Sequence, residues 1–512
     1  MKKIFSLLLV LFALVANAAD VVELKLPKSD LVVIKIMFRN GSIADPVGKD
    51  GLTSLTANTI AEGGTKEMTS AQIKDLIYPW AAEYSVSVDK EVTIFTFEVH
   101  KDHLAKFYPI IKGLILTPRF AEDDFNRVKS NDQNYVDEVV RSSSDEEYSK
   151  MTLEDLLFRG TNYQHMVSGT SSGVKSCTIA DVKSQYSNAF GNANMIIGIA
   201  GNYTTQFLEQ LKSDMNSLPA AKLPLPVAQK GRSPKGIEVE IIAKDNALGS
   251  AVFTGFPMDI TRSKDDFAAL MIANSWLGEH RKSYSRLYKK IREQRSMNYG
   301  DYSYIEWYQN GGQNMLPRPG FPRSSNYFSI WLRPVQTAKG LKGQYPELKT
   351  IEIGHAHFAL RMAIREMDQI ITNGMSQEDF DLTKTFLRSY IKLYAQTPEK
   401  QLGYLMDSHF YGRKDWLLEA DGLLGKATVA DVNAAMKKYW QTKNMFVSIV
   451  TDRTEAVPLA RSLRENSPSP MSYSNVLRGV LSQDILTEDK AVENYPLNVT
   501  KVEIVESKDT FK

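Results

Sequence analysis

The chain has 512 residues, 43% hydrophobic and 24% charged, with 62 basic and 60 acidic side chains for a net charge of +2. That length is too great for one hydrophobic core, and the composition excludes global disorder. The near-balance of charge gives no reason to expect nucleic acid or an anionic membrane surface as partner, and Cys177, the single cysteine, excludes an internal disulfide or a cysteine-based metal cage.

Lys2 and Lys3 precede an apolar run from Ile4 to Ala16 broken only by Ser6, and Ala16-Asn17-Ala18 is a small-x-small cleavage site. This pattern predicts a secretory signal peptide over residues 1–19. The run is short for a membrane anchor, and no cysteine follows it to carry a lipid. Its removal leaves 60 basic against 60 acidic residues. No other stretch approaches roughly 18 consecutive apolar residues. The expectation is therefore an exported protein, periplasmic in a Gram-negative cell, with no membrane anchor in the mature chain.

Leu31 to Phe38 reads as a strand, and Gly51 to Thr65, GLTSLTANTIAEGGT, as a turn leading into a helix. His100 and His103 flank a strand-to-helix turn, where histidines are more often solvated or capping than metal-bound. Gly169 to Gly173 satisfies Gly-x-Ser-x-Gly, but the preceding NYQHMVS is polar and loop-like, whereas a nucleophile elbow needs a buried strand there. Residues 178–204 (TIADVKSQYSNAFGNANMIIGIAGNYT) align without a gap to residues 428–454 (TVADVNAAMKKYWQTKNMFVSIVTDRT). Each opens on a Thr-x-x-Asp helix cap, runs through an amphipathic stretch to Asn-Met, and ends in an apolar, β-rich segment. The chain therefore holds two similar halves. A linker at 223–236, within the proline- and lysine-rich PAAKLPLPVAQKGRSPKG, divides a first half (20–222) from a second (237–460), which opens with a strand from Ile237 to Ile242. Each half shows strands, long helices, then strands, which predicts an α+β fold: two homologous α/β-sandwich halves with mixed, largely antiparallel sheets flanked by helices. His355 and His357 stand at i and i+2 at the start of a helix and do not share a face. Gly422 to Lys426 (GLLGK) lacks the spacing of a phosphate loop. Residues 461–512 form a C-terminal extension whose end, VTKVEIVES, reads as an edge strand.

The order of these segments resembles the insulinase-like (pitrilysin-type) zinc peptidase family over about residues 21–460. In that family a Gly-Leu pair leads into a helix carrying His-x-x-Glu-His, with Gly-Thr shortly after. Two histidines one turn apart bind zinc, and the glutamate activates the metal-bound water. The matching positions here hold Ser54, Ala57 and Asn58. The family's third ligand, a glutamate on a later helix, matches the stretch Asn131 to Val136, with Asn134 or Tyr135 nearest and Asp137 and Glu138 just beyond. LLFRGTNYQHMVSGT resembles the family's loop around a His-Pro-Tyr-Gly-like motif before Gly-Thr. In the second half, SRLYKKIREQRSMNY (285–299) resembles a family helix ending in an Arg and, seven residues on, a Tyr. The match is Arg292 and Tyr299, which the resemblance casts as donors to substrate backbone and to the oxyanion of the scissile carbonyl.

The resemblance implies a peptidase homologue that holds no catalytic residues or metal of its own. Heterodimeric members divide the labour: one subunit carries the zinc helix and the other supplies the Arg/Tyr pair. The expected partners are a zinc-bearing homologue and a peptide substrate. Two alternatives stay open: a peptide-binding or scaffold protein without peptidase activity, and an active peptidase drawing unusual ligands from His100, His103 or His165. The plain alternative for Arg292 and Tyr299 is a solvated helix residue and a sheet-core ring.

Overall fold

Strands β1 (Asp20–Lys25), β2 (Leu31–Phe38), β3 (Glu83–Val88), β4 (Thr93–His100) and β5 (Met195–Gly201) form the first sheet, in the order β1-β5-β2-β4-β3. The second contains β6 (Ile237–Lys244), β7 (Gly249–Pro257), β8 (Asp301–Tyr304), β9 (Tyr327–Gln336), β10 (Met445–Asp452) and β11 (Val499–Glu506), in the order β11-β6-β10-β7-β9-β8. Apart from β11, the two orders are the same permutation. In both, the pair β1–β5 or β6–β10 is parallel and, β11 aside, the remaining pairs are antiparallel. The duplication expected from residues 178–204 and 428–454 thus extends through the whole architecture. The computed structural model describes residues 19–307, 316 and 318–512, so the expected signal peptide lies outside the described residues except for Ala19. No helix among them is long and apolar enough to cross a membrane.

The helices that frame the site and the junction between the halves are α1 (Leu52–Gly63), α2 (Glu122–Asn134), α3 (Asp145–Phe158), α4 (Ser171–Ser176), α5 (Ile179–Ala189), α6 (Asp266–Gly278), α7 (Pro398–Phe410), α8 (Val429–Tyr439) and α9 (Gln483–Glu493). The repeated Thr-x-x-Asp signals close as reciprocal capping boxes, Thr178 with Asp181 on α5 and Thr428 with Asp431 on α8. Each supplies two of the partners that the first turn of a helix lacks.

The halves interlock. Helix α3 belongs to the first half but packs on β7, β9 and β10 of the second sheet, while α7 belongs to the second half and packs on β1, β2 and β5 of the first. Leu153, Leu156, Leu157 and Phe158 share a core with Phe253, Tyr304, Trp331 and Phe446. Leu402 and Met406 share one with Val22, Val33, Met37, Ile94 and Ile196. This exchange explains why β2, apart from Lys35, and β5 read as apolar runs: both faces of the sheet are covered. It also explains Gly198, where a Cβ would lie 2.3 Å from Met406 Sδ. The one charge inside β2, Lys35, is met by Glu399 of α7 at 2.5 Å. The segment 223–236 contains no helix or strand.

The C-terminal extension serves both halves. Strand β11 adds in parallel to β6 as the sheet edge. The last residues then reach the first half. Arg141 Nε and Tyr148 Oη donate to the Ser507 carbonyl at 2.9 and 3.1 Å, and Ser171 N–H donates to the Phe511 carbonyl at 3.0 Å.

Candidate functional site

Helix α1 begins on Gly51, whose φ of +99° only glycine adopts without strain. Gly169 (φ +92°) lies against it, and a Cβ on Gly51 would sit 2.7 Å from the Ser168 carbonyl oxygen. The Gly-Leu and Gly-Thr signals of the sequence are therefore two glycines packed back to back. The Asp45 carboxylate accepts the N–H groups of Gly51 and Thr53, each at 2.7 Å, and His165 Nε2 lies 3.2 Å from it. His165 thus buttresses the start of α1.

On the face that would hold metal, Ser54 and Ala57 are buried and Asn58 is half-buried, with Asn58 Nδ2 donating to Ser54 Oγ at 3.5 Å. A hydroxyl, a methyl and an amide provide neither imidazole nor a carboxylate base. Among the described residues no three His, Cys, Asp or Glu side chains are grouped to hold a metal ion. His100 accepts the Asp102 N–H as a cap at 3.3 Å, and His103 stacks on Trp80 with ring centroids 6.0 Å apart.

Opposite α1 lies the stretch Asn131 to Val136 that the resemblance matches to the third ligand. Asn134 and Tyr135 are exposed, whereas Asp132 faces Asn58. Burial pushes the Asp132 carboxyl up to about 7; the Asn58 amide draws it down and Glu62 adds to the rise. Asp132 Oδ2 is buried without a hydrogen-bond partner. Its signal was present in the sequence: Phe125, Val128 and Asp132 lie at i, i+3 and i+7, one helical face. The continuation was misleading because a π-helix over Tyr135–Val139 turns Val136 inward and leaves Tyr135 outside.

In the second half, Arg292 lies on a π-helix, Tyr288–Glu293, with its guanidinium carbon 5.3 Å from the Tyr299 ring centroid. Tyr299 is 72% exposed and Arg292 is half-buried. The sheet-core alternative holds for Tyr302 and Tyr304, which pack with Trp331, but not for Tyr299. Both flanks of Arg292 are tied to α9 of the extension, Lys290 to Glu488 at 2.7 Å and Arg295 to Asp489 at 2.7 Å. Although burial opposes ionisation, Lys290 and Arg295 hold the Glu488 carboxyl down at about 2.

Helix α6, the counterpart of α1, ends at Glu279, a buried carboxyl bonded by Ser275 Oγ at 2.8 Å and raised by burial to about 7. A raised carboxyl binds its proton more tightly folded than unfolded. Its contribution is therefore lost as pH rises from the unfolded value near 4.5 through 7. Glu279→Gln should remove that slope. Its stability relative to the parent should improve by on the order of 2 kcal/mol between pH 5 and pH 8. Urea unfolding at both pH values measures this, and an unchanged difference would count against the assignment.

The remaining motifs have structural roles. Thr170 caps α4, and Ser171 Oγ accepts from Gln133 Nε2 at 3.3 Å. His355 Nε2 meets the Ser472 carbonyl at 3.0 Å while His357 Nδ1 meets Ser462 Oγ at 2.8 Å, so the two rings diverge. GLLGK lies within the helix Trp416–Lys426.

Comparison with known proteins agrees with this geometry. The profile described as insulinase (peptidase family M16) matches residues 20–171, and that described as the peptidase M16 inactive domain matches residues 176–330. YmxG of Helicobacter pylori, described as a non-peptidase homologue, is 23% identical over 429 residues, spanning 82% of this chain and 89% of that protein. A peptidase M16 inactive domain from Pseudomonas fluorescens superposes with a TM-score of 0.70 at 18% identity, over 85% of this chain and 96% of that one. The periplasmic protease PqqL from Escherichia coli superposes with a TM-score of 0.63 at 15% identity, over 83% of this chain and 43% of that one.

Proposed function

Because the chain belongs to the insulinase family, peptidase M16, as a member without the zinc-binding residues, we propose that it is the exported, non-catalytic subunit of a heteromeric zinc peptidase. The observation that carries this reading is the asymmetry between the halves. The helix that would hold zinc presents Ser54, Ala57 and Asn58, while Arg292 and Tyr299 are kept together and accessible. Zinc resides on the partner. Arg292 and Tyr299 donate to peptide backbone and to the developing oxyanion. Extended peptide adds along β3, the sheet edge that packs beside α1. That edge, EYSVSV, has neither the lysine nor the proline that commonly blocks strand addition. The charged, apolar, small-residue order of the N-terminus supports export to the periplasm.

Capture of the full chain from its source cell, native mass spectrometry, and a peptidase assay with and without chelator test this reading. A zinc-bearing homologue and chelator-sensitive activity are expected. Arg292→Ala with Tyr299→Ala should slow the complex by about 100-fold or more without dissociating it. An unchanged rate would remove the pair from catalysis. Recovery of the chain alone, with peptide bound, would favour a peptide-holding protein instead.

A further inference from the structure

We propose that the cavity between the end of β2 and the linker segment 223–227 binds the C-terminal end of an apolar peptide, with Arg39 taking its carboxylate and Asn40 its last peptide group. The cavity shares no lining residue with α1, β3, Arg292 or Tyr299, so the assignment stands apart from the partner-subunit reading.

The cavity has a volume of about 420 Å³, within the roughly 300–1,000 Å³ of small-ligand sites. Its wall is held in place from both ends. The Asn188 carbonyl of α5 accepts the N–H groups of Lys222 and Leu223 at 2.9 and 3.0 Å. Asn162, just after α3, donates through Nδ2 to the Val227 carbonyl at 2.9 Å and accepts the Gln229 N–H at 3.1 Å. Between these ties Leu223-Pro224-Leu225-Pro226-Val227 lines the cavity. Its prolines fix φ and remove two N–H donors, which stiffens the segment. Leu223 and Leu225 stay 47% and 43% exposed. Ile43, Ala44 and Ala189 complete the apolar lining.

Three polar side chains interrupt that lining, Arg39, Asn40 and Asn194. Asn194 is satisfied: its amide donates to the Ala189 carbonyl at 2.8 Å and accepts the Gly191 N–H at 3.2 Å. Asn40 is not. It is 2% exposed, its backbone carbonyl accepts from Thr93 Oγ1 at 2.6 Å, and its Nδ2 is buried with no hydrogen-bond partner among the described residues. Buried amides normally have one. Arg39 is exposed, and its guanidinium carbon lies 5.6 Å from the Phe410 ring centroid without an ion pair among the described residues. No acidic side chain lines the cavity.

These groups select the ligand. A carboxamide offers donors and an acceptor, the complement of a peptide group, and a guanidinium pairs with a carboxylate. An apolar C-terminal residue carries both beside an apolar side chain. A peptide's amino end would meet Arg39 with like charge, and a fatty acid would leave the acceptor of the carboxamide unused.

Fluorescence anisotropy on the full chain tests the assignment, with N-terminally labelled peptides of equal length. One ends in Leu-Val with a free carboxylate, one has the same sequence amidated, and one has a free carboxylate after Ser-Gly. The first should bind about 10-fold or more tighter than either of the others. Arg39→Gln should erase the preference for the free acid, and Leu225→Ser the preference for the apolar end. Both positions are exposed, so the urea unfolding transition should stay in place. Equal binding of acid and amide, a preference for the acid that survives Arg39→Gln, or no binding by the first peptide would overturn the site. Displacement of that peptide by octanoate as effectively as by its own unlabelled form would assign the cavity to a fatty acid and overturn the proposal.

Discussion

Residues 19–222 expressed alone should fail to unfold cooperatively, and co-expression with residues 223–512 should restore a stable complex. The reason is the exchange of α3 and α7. Without α7, the outer face of the first sheet loses Leu402 and Met406 and exposes Val22, Val33, Met37, Val92, Ile94 and Ile196 to water. Full exposure of such a side chain costs about 1.5–3 kcal/mol. Six of them approach the whole stability of a typical domain, about 5–15 kcal/mol. Conversely, the isolated first half would carry α3 with Leu153, Leu156, Leu157 and Phe158 unpaired. Near-ultraviolet circular dichroism and urea unfolding of the fragments, separately and together, measure this. A sharp transition for residues 19–222 alone would show that the exchange is not needed for folding.

Replacing Arg323 by alanine should cost about 3–5 kcal/mol, the largest loss from any single polar side chain at the junction. Arg323 precedes β9 in the second half, and its guanidinium reaches into the first. It donates to Asp89 through Nε and Nη2 at 2.7 and 2.6 Å and to Glu154 of α3 through Nη1 at 3.0 Å. The Trp307 ring lies 3.8 Å from its guanidinium carbon. Beneath it Lys90, wholly buried, pairs with Glu154 at 2.9 Å and donates to the carbonyls of Tyr163 and His165. Removing Arg323 would leave two buried carboxylates facing one lysine. The penalty comes from the unpaired charge more than from the lost attraction, so Arg323→Met combined with Asp89→Asn should recover much of the stability. Urea unfolding of both variants separates these effects. A loss below about 1 kcal/mol for Arg323→Ala would mean that water enters the junction and screens the charges.

The candidate site was legible in the sequence to unequal degrees. Ser54, Ala57 and Asn58 could be placed on one face because α1 is a regular helix. Arg292 and Tyr299 could be paired only through resemblance. Their contact depends on a π-helix and on the support of α9, nearly 200 residues later, through Glu488 and Asp489. Asp132 is not singled out by the resemblance, which falls on Asn134 and Tyr135, where the change in helical pitch alters which side chains point inward.

By itself the sequence determined the duplication, the α+β class and the loss of the metal ligands. Helix caps, apolar periods and residue identities are local properties, and they survive without any knowledge of what lies opposite. Only the tertiary structure decided which helix covers which sheet, that the C-terminal segment joins both halves, and that Asp132 faces Asn58. Those outcomes depend on contacts between residues far apart in the chain. A helix such as α3 or α7 fits either sheet by its local sequence, and only the packed assembly of both halves selects one.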